Sequence, residues 1–483
     1  MQVMSDDSRT TRLALLLLIL GVFLVVPLRI IGLGFMPPDD ALRHTAFAVV
    51  DRAWGDVLLL DPRFPAWMDP HAGWHELLRA VHRVTQWDQG ALVTFSVALA
   101  LWAFTFGGLI MSGNPPAWLS ACAIMAMVEP ALFFKLALGR PLFASVTAVM
   151  VLLFLWTRRQ PLRLSHEIAI VGLVLSVSLY IHPSSWYLWG IAVPPLVVCR
   201  RWRALGALAA GWGVALLVTC LLNGWYNAIV LPLEILQVAL LQGGTTAQNL
   251  VPELQPSGAP VMGLMGMVLV LLARKAAGHD LQAEWRAPDL AFVVTAWVMG
   301  LYVSRFWFEW GLPAMAVWYT RQIGEEMGFG FAGLHRRVVP PVLVGAAAAT
   351  FYLAQTADLG GRYTSMLRNP LFITPVEELA ADLPEPGGVL YAANMAPFYG
   401  IFHRLPQAPF RFSTGMEPGL MPAEDLKVLR AIEATDQTSA YTPWFDKMRG
   451  ADRIVVRGAT APEWPGMEFK RFYGAWIGRK TSQ

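Results

Sequence analysis

The sequence predicts a polytopic α-helical membrane protein with about eleven transmembrane helices and a small C-terminal extracytoplasmic α/β domain. Three observations support this prediction. The 483 residues are 55% hydrophobic but only 15% charged, whereas soluble domains carry nearer a quarter charged residues. Apolar runs recur along residues 13–357. Residues 358–483 are more charged and rich in turn residues, which is typical of a domain outside the membrane.

Apolar runs long enough, or nearly long enough, to cross a bilayer define the predicted spans. The first span follows Arg9 and Arg12, and no small-residue cleavage site comes after it, so we expect an uncleaved anchor rather than a signal peptide. The predicted spans are 13–36, 90–111, 116–134, 137–156, 167–182, 184–199, 204–222, 260–273, 288–304, 307–323 and 339–357.

The distribution of basic residues predicts the orientation. Alternate connections carry clusters of arginine, such as 158–163 and 200–203, while 223–259 carries no Lys or Arg. By the positive-inside rule, the N-terminus is cytoplasmic, and an odd number of spans places the C-terminal domain outside. We expect the bacterial inner (plasma) membrane. A net charge of +3 without a basic run gives no indication of a nucleic-acid partner.

The chain divides into a membrane domain, 1–357, and an outer domain, 358–483. Within the outer domain, Val389–Ala392 and Arg453–Val456 have the composition of buried strands. Residues 376–383, 422–434 and 443–449 have helical patterns. Alternating helices and strands predict a small α/β domain.

The acidic pair Asp39-Asp40 lies between the first two spans, at the start of the first outer loop, 37–89. The local sequence is Pro-Pro-Asp-Asp-Ala-Leu-Arg-His, ending at Arg43 and His44. Charge at the mouth of a membrane bundle is costly and is usually kept for function. A helical apolar pattern over 42–58 predicts a juxtamembrane helix on the outer surface. The structural alternative is that Asp39 only caps this helix.

A second polar group in the first outer loop contains Asp69, His71, His75 and Glu76. The two histidines are four residues apart, as metal ligands on a helix can be. The zinc-protease pattern requires Glu directly after the first histidine and is not met. Solvated loop histidines are the interpretation that the sequence favours.

Further charged residues lie at the outer ends of later spans. Glu129 ends the third span, and Lys135 and Arg140 follow it. They either pair with one another or bind an anion. His182 lies in the next outer turn, where it is either a phosphate donor or an interface residue. Arg305 lies in the last short outer connection, with Glu309 four residues on as a neutralising partner.

This arrangement resembles the polytopic C-type glycosyltransferases (the GT-C superfamily), which include protein O-mannosyltransferases, the lipid A aminoarabinose transferase and the oligosaccharyltransferase catalytic subunit. Those enzymes carry an acidic motif in the first outer loop and another acidic residue in the next. By this resemblance Asp39, Asp40 and Glu129 are the catalytic candidates. The Trp-Trp-Asp signature is missing, which argues against protein N-glycosylation.

The resemblance implies transfer of a sugar from a polyprenyl-phosphate-linked donor to an envelope glycan, lipid or protein acceptor. A carboxylate acts as general base in an inverting displacement. Positive charge or a metal receives the departing lipid phosphate. The candidates for binding sugar or phosphate are Arg43, His44, Lys135, Arg140, His182 and Arg305. A divalent cofactor, Mg²⁺ or Mn²⁺, would be held by Asp39 and Asp40, with Glu129 as a third oxygen donor.

Two other functions are consistent with a polytopic chain. A lipid-linked sugar transporter or flippase is disfavoured because the sequence halves show no repeat and no paired broken helices. A non-catalytic protein of envelope polysaccharide assembly would use the acidic pair only as a helix cap. The sequence favours the glycosyltransferase over both.

Overall fold

The structure is a computed structural model that describes residues 37, 40–158, 160–241, 261–276, 278–329, 374–435, 437–458 and 460–481. Asp39 and the predicted spans 13–36 and 339–357 lie outside the described residues. Two compact units divide the chain. The helical unit comprises 1–34, 94–222 and 253–361, and the mixed unit comprises 35–93, 223–252 and 362–483. The predicted boundary at 357/358 between a membrane and an outer domain stays a prediction.

In the mixed unit, the helices that precede the sheet in the sequence come from the first outer loop and from the segment after Leu222. The loop contributes α1 (Asp40–Ala48), α2 (Trp54–Val57) and α3 (Ala72–Thr85). The predicted helical pattern over 42–58 is therefore broken between α1 and α2. Arg52 lies in this break and donates to the carbonyls of Pro406 and Ala408, so the turn is held by the outer domain's own loop.

The helical unit is built from apolar helices of unequal length. The helices up to residue 198 are α4 (Gln89–Ser112, whose first turn belongs to the mixed unit), α5 (Pro115–Val128), α6 (Ala131–Ala137), α7 (Phe143–Trp156), α8 (Leu164–Ile181) and α9 (Val193–Val198). The helices after residue 198 are α10 (Trp202–Asn223), α11 (Leu231–Leu241, which belongs to the mixed unit), α12 (Val261–Ala276), α13 (Gln282–Trp285), α14 (Pro288–Gly300), α15 (Ser304–Phe306) and α16 (Leu312–Phe329).

The chain is a multi-pass membrane protein. Within the described residues, α4, α8 and α10 are long and apolar enough to cross a bilayer, and α5 with α6 adds a fourth span if this pair, bent by 94°, counts as one. The bend falls at Pro130, which lacks an N–H to continue the helix. The count of eleven stays a prediction, since two predicted spans lie outside the described residues.

The predicted span 184–199 is not one α-helix. A 3₁₀ helix, Pro183–Ala192, leads into the short α9. Pro194 and Pro195 remove two backbone donors in succession, so a continuous helix cannot run through this stretch. The apolar run therefore did not predict a regular span here.

Buried ion pairs hold the end of the helical unit formed by α12, α13, α14 and α16. Arg321 bonds to both carboxylate oxygens of Glu284, at 2.9 and 2.7 Å, and to both of Asp289, at 2.9 and 3.2 Å. Glu284 and Asp289 are almost completely buried. Arg274 adds a second cation, 2.9 Å from Glu325. Charges so deeply buried persist only when paired in this way.

The C-terminal part of the mixed unit is an α/β fold, as predicted. Its strands are β1 (Val389–Ala392), β2 (Arg411–Phe412), β3 (Arg453–Val456), β4 (Met467–Phe472) and β5 (Ala475–Lys480). Its helices are α17 (Val376–Ala381), α18 (Ala396–Arg404), α19 (Ala423–Thr435) and α20 (Thr442–Lys447). Both predicted strands and all three predicted helices are confirmed within two residues. Strands β2, β4 and β5 and helix α18 were not predicted.

The sheet has the order β2-β1-β3-β5-β4, with β1 parallel to β2 and β3, and β5 antiparallel to β3 and β4. Side chains of β1 alternate between two cores: Leu390 enters the cluster that also contains Trp54, and Tyr391 enters the cluster around Trp444. A strand buried on both faces needs apolar residues throughout, which explains the run Val-Leu-Tyr-Ala.

The first outer loop joins this sheet directly. Leu58 forms a parallel bridge with Phe412 of β2, and the Leu59 N–H donates to the Phe412 carbonyl at 2.8 Å. Gly415 approaches so closely that a Cβ there would lie 2.2 Å from Leu58. The loop that begins with the acidic pair is thus fixed against the α/β fold within one compact unit.

Candidate active site

The acidic motif heads a helix that is buried on all sides. Every residue of the run Ala41–Ala48 in α1 is buried. The predicted position on the open membrane surface is therefore wrong. This helix packs within the mixed unit instead, where its polar side chains Arg43 and His44 are buried with hydrogen-bond partners. Asp39 itself lies outside the described residues, and its role as base stays a prediction.

Asp40 accepts two hydrogen bonds on one oxygen. Its Oδ1 lies 2.9 Å from Arg43 Nε and 2.8 Å from the hydroxyl of Tyr399, which belongs to α18. Arg43 is buried. Burial disfavours the arginine charge, but the attraction of Asp40 outweighs it and raises the pKa of Arg43. Asp40 is therefore held as an anion by a cation and a hydroxyl.

Of the two histidines that the sequence favours as solvated, His75 is completely buried and His71 is half-buried, so the interpretation is wrong for His75. His44 and His75 are completely buried. His75 Nδ1 lies 2.8 and 2.7 Å from the two oxygens of Asp69, and His75 Nε2 lies 2.7 Å from His44 Nδ1. The ring of His71 meets that of His44 edge-on, with centroids 4.9 Å apart. These residues form one polar cluster beside α1.

Electrostatics in this cluster follow from burial and hydrogen bonding. Burial lowers the pKa of His71 to about 3 and also lowers that of His75, which Asp69 only partly opposes. Burial alone would raise the pKa of Asp69, but its interaction with His75 and the N–H of His71 bring it below the ordinary value. We therefore assign an ionised Asp69 and neutral His71 and His75 at neutral pH.

Glu129 is a buried carboxylate of the helical unit. It ends α5, and its Oε1 accepts from the N–H of Gly263 at 3.2 Å. A Cβ at residue 263 would lie 2.7 Å from Glu129 Cγ, so a glycine is needed for this approach. Lys135 Nζ lies 5.1 Å from the ring centroid of Phe308, as a cation–π contact.

His182 and Arg305 meet in the helical unit. His182 Nε2 lies 3.1 Å from Arg305 Nη2, and His182 Nδ1 lies 3.0 Å from Ser145 Oγ. Arginine can only donate, so Nε2 of His182 accepts and Nδ1 carries the proton. Arg305 also pairs with Glu309, which is 1% exposed. Glu309 belongs to a π-helical turn, Trp307–Gly311, and such turns are frequent at functional sites.

The structure thus brings the predicted residues together in two sets. Asp40, Arg43 and His44 share α1 in the mixed unit. The other set belongs to the helical unit, where His182 contacts Arg305 directly; its members are Glu129, Lys135, Arg140, His182 and Arg305. Among the described residues, no group of three or more His, Cys, Asp or Glu side chains is arranged to hold a metal ion. With Asp39 outside the described residues, metal binding by Asp39 and Asp40 stays a prediction.

Sequence reasoning missed Tyr399 as a partner of the acidic motif. Its hydroxyl bonds to Asp40 across 359 positions of sequence, and no local pattern marks such a contact. It also missed the link between His75 and His44. The i, i+4 spacing of His71 and His75 drew attention to the right residues, but solvated loop histidines were favoured over a metal site because the fold that brings His44 to them was not visible.

An apolar cavity in the helical unit lies between the 3₁₀ helix and α10. Its volume is about 320 Å³, and tryptophans at 186, 189 and 212 dominate its wall. The indole N–H of Trp212 donates to the Trp186 carbonyl at 3.0 Å, which fixes part of that wall. A cavity of this composition suits a hydrocarbon chain.

Comparison with known proteins identifies the fold. No protein-family model matches the chain, and no curated protein sequence matches it. The crystal structure of ArnT from Cupriavidus metallidurans in the apo state is similar over 99% of this chain and 98% of its own, with 14% identity and a TM-score of 0.58. The crystal structure of an Archaeoglobus fulgidus oligosaccharyltransferase tethered with an acceptor peptide is similar over 92% of this chain and 69% of its own. Its identity is 12% and its TM-score 0.49, a similarity too low to carry an argument.

The likeness to ArnT extends over the whole length of both chains. It shows that this chain shares the fold of ArnT, so the resemblance predicted from the acidic motif and the outer-loop charges is confirmed at the level of fold. The chemistry of the site has to be argued from its residues.

Proposed function

We propose that the chain is a membrane glycosyltransferase that moves a sugar from a polyprenyl-phosphate-linked donor to an envelope glycan, lipid or protein. The observation that carries this proposal is the full-length likeness to ArnT combined with the acidic motif at the head of a buried helix. The motif stands where the resemblance to C-type glycosyltransferases expects the catalytic carboxylates. We place this reaction at the outer face of a bacterial inner membrane.

Asp39 is the proposed general base. Its neighbour Asp40 is held by Arg43 and Tyr399, and hydrogen bonds to the ionised form make a carboxylate less basic. Asp40 therefore suits a positioning role, and the proton of the acceptor hydroxyl passes to Asp39. The hydroxyl oxygen attacks the anomeric carbon, the bond to the phosphate oxygen breaks, and the configuration inverts. Polyprenyl phosphate leaves with the bonding electron pair.

Cationic and neutral donors of the helical unit are the proposed receivers of the lipid phosphate. Arg305 is the proposed guanidinium for the anion, and its partial exposure beside the pair with Glu309 supports this role. Lys135 and Arg140 supply further charge. The tryptophan-lined cavity supports binding of an isoprenoid chain by the same unit. A metal held by Asp39 and Asp40 would stabilise the leaving phosphate, but the steps above use only side chains.

The test is turnover of a defined donor by the purified protein in liposomes. A polyprenyl-phosphate pentose or hexose is supplied, with a detergent extract of cell envelope as acceptor, and release of polyprenyl phosphate is measured beside labelling of the extract. We expect both products in equal amounts. Movement of intact donor across the bilayer without sugar release would identify a flippase, and neither event with any donor would favour an assembly protein.

A further inference from the structure

A chain of hydrogen bonds from Asp69 through His75 to His44 connects a buried carboxylate to the helix of the acidic motif. Both contacts along it are short: 2.7–2.8 Å from Asp69 to His75 Nδ1, and 2.7 Å from His75 Nε2 to His44 Nδ1. His44 lies one helical turn after Asp40 on α1. The mechanism proposed above makes no use of Asp69 or His75.

The geometry fixes the direction of each hydrogen bond. Asp69 also accepts from the N–H of His71 at 3.0 Å, which suits an ionised carboxylate. A carboxylate only accepts, so the proton of His75 lies on Nδ1. A neutral imidazole has one N–H, and Nε2 of His75 must then accept. The proton between the two imidazoles therefore belongs to His44 Nδ1, which leaves a lone pair on His44 Nε2.

The surroundings hold this chain rigidly. Phe47 and Trp54 stack at 4.0 Å with their planes 3° apart, and both rings lie against His75, with centroids 4.8 and 5.8 Å away. The Asp69 N–H donates to Asn227 Oδ1 at 2.9 Å, and Asn227 belongs to a π-helical turn, Tyr226–Val230. Three separate segments of the mixed unit thus converge on one buried relay.

We propose that Asp69 and His75 are positioning residues of the transfer reaction: they fix His44 as the Nδ1–H tautomer, so that its Nε2 accepts a hydrogen bond beside the acidic motif and does not donate to a phosphate. This inference rests on the proposed function. It revises the role that the sequence suggested for His44, because a lone pair repels a phosphate oxygen and attracts a hydroxyl. The group that His44 serves is therefore a hydroxyl that donates to Nε2.

The decisive variant is Asp69→Asn, which keeps the shape but no longer dictates the tautomer. An amide N–H facing His75 Nδ1 would move the proton of His75 to Nε2 and, in turn, that of His44 to Nε2. We expect kcat to fall on the order of 10²-fold, the scale that a small misplacement of reacting groups can cost, with the KM for donor within about threefold. Asp69→Glu should recover part of kcat, because a carboxylate again faces His75.

Glu76→Gln is the matched control, because Glu76 is a nearby carboxylate of α3 that is half exposed and forms a surface ion pair with Arg79. It should leave kcat unchanged. Equal losses in Glu76→Gln and Asp69→Asn would overturn the proposal, as would full activity of a folded Asp69→Asn protein.

Histidine ¹⁵N spectroscopy tests the tautomer without any need for turnover. In the wild-type protein, with His44→Gln used to assign the signal, we expect a neutral His44 protonated at Nδ1. An Nε2–H or doubly protonated His44 would overturn the inference even if Asp69→Asn fails to fold. A wild-type protein with the expected tautomer but no donor turnover would instead refute the proposed function, and the two failures are thereby distinguished.

Discussion

Three buried carboxylates of the helical unit and Asp69 of the mixed unit are stabilised in different ways. In the helical unit, Glu309 pairs with Arg305, and Glu284 and Asp289 share Arg321. In the mixed unit, Asp69 is held by a neutral imidazole and a backbone N–H. Loss of one partner leaves an uncompensated charge in the first case but only a missing hydrogen bond in the second.

Because of this difference, some substitutions should alter mainly enzymatic activity and others mainly the stability of the fold. A conservative change at Asp69 should leave the fold intact and alter only proton positions, so its effect is read in activity. A change at Arg305 or Arg321 should be read first in stability. Asp40 is intermediate, because it has one charged partner and one neutral one.

The largest expected effect is that of Asp39→Asn on activity. Asn caps a helix about as well as Asp, so expression and unfolding temperature should be retained. Sugar transfer should fall by roughly two to four orders of magnitude, the scale of losing an acid–base group. Donor turnover by the purified variant is the measurement.

The capping alternative for Asp39 makes the opposite prediction. If Asp39 only caps α1, Asp39→Asn is nearly silent, and Asp39→Ala lowers the free energy of unfolding by about 1 kcal/mol. Normal transfer by a folded Asp39→Asn protein would assign the base elsewhere and remove the contrast in chemistry between the two units.

Arg305→Gln should give the largest loss of stability. It leaves Glu309 buried without its cation, and breaking a buried pair costs about 3–5 kcal/mol. The double variant Arg305→Gln/Glu309→Gln removes both charges and should recover most of this loss. Thermal unfolding in detergent is the measurement, with Arg83→Gln on the exposed face of α3 as a control.

Activity of the folded double variant then decides whether Arg305 also binds the lipid phosphate. Low transfer with a raised KM for donor would support that role. Wild-type kinetics would show that the Arg305–Glu309 pair is structural only. Wild-type stability of the Arg305→Gln single variant would contradict the view that buried Glu309 depends on direct pairing with Arg305.

The pH dependence of stability tests the neutral histidines of the mixed unit. Burial lowers the pKa of His403 to about 4 from an ordinary 6.5. A histidine with a depressed pKa stabilises the fold fully above pH 6.5, and this contribution is lost as the pH falls from about 6.5 toward 4. His403 alone should therefore cost about 2 kcal/mol between pH 7 and pH 5.

The His403→Gln variant isolates this contribution. Its unfolding free energy should change less between pH 7 and pH 5 than that of the wild type, whatever the stability of the variant at pH 7. Parallel pH curves for the two proteins would show that His403 is not kept neutral in the fold. His71, whose pKa burial lowers to about 3, should likewise lower the unfolding free energy as the pH falls.

The sequence predicted the fold where local patterns decide structure. The strand Val389–Ala392 is apolar on both faces and was recognisable without its neighbours. Strand β2 has only two residues, so no pattern marks it. The chain around Pro194 and Pro195 departs from its predicted span because hydropathy reports burial and carries no information about backbone donors.

The candidate site was predictable only in part, for a related reason. Residue type and position in the topology identified Asp40 and Arg43, which are neighbours on one helical turn. His44 was assigned to the ligand because its partner was unknown. His75 and Tyr399 reach α1 through tertiary packing, and nothing in the sequence near them indicates that contact.

The smallest expected effect is that of Tyr399→Phe, which removes one neutral donor from Asp40 and leaves Arg43 in place. A hydrogen bond to a charged group contributes about 1.5–3 kcal/mol, and the remaining ion pair should limit the loss to about 1.5 kcal/mol. Tyr302→Phe, at a 70% exposed position, is the matched control and should be silent. Because Asp40 then loses a stabilising donor, its carboxylate should become more basic, and transfer should change by only a few fold. A loss of transfer as large as that of Asp39→Asn would show that Tyr399 touches the reacting groups, and the acidic motif would then depend on the α/β fold for chemistry as well as for position.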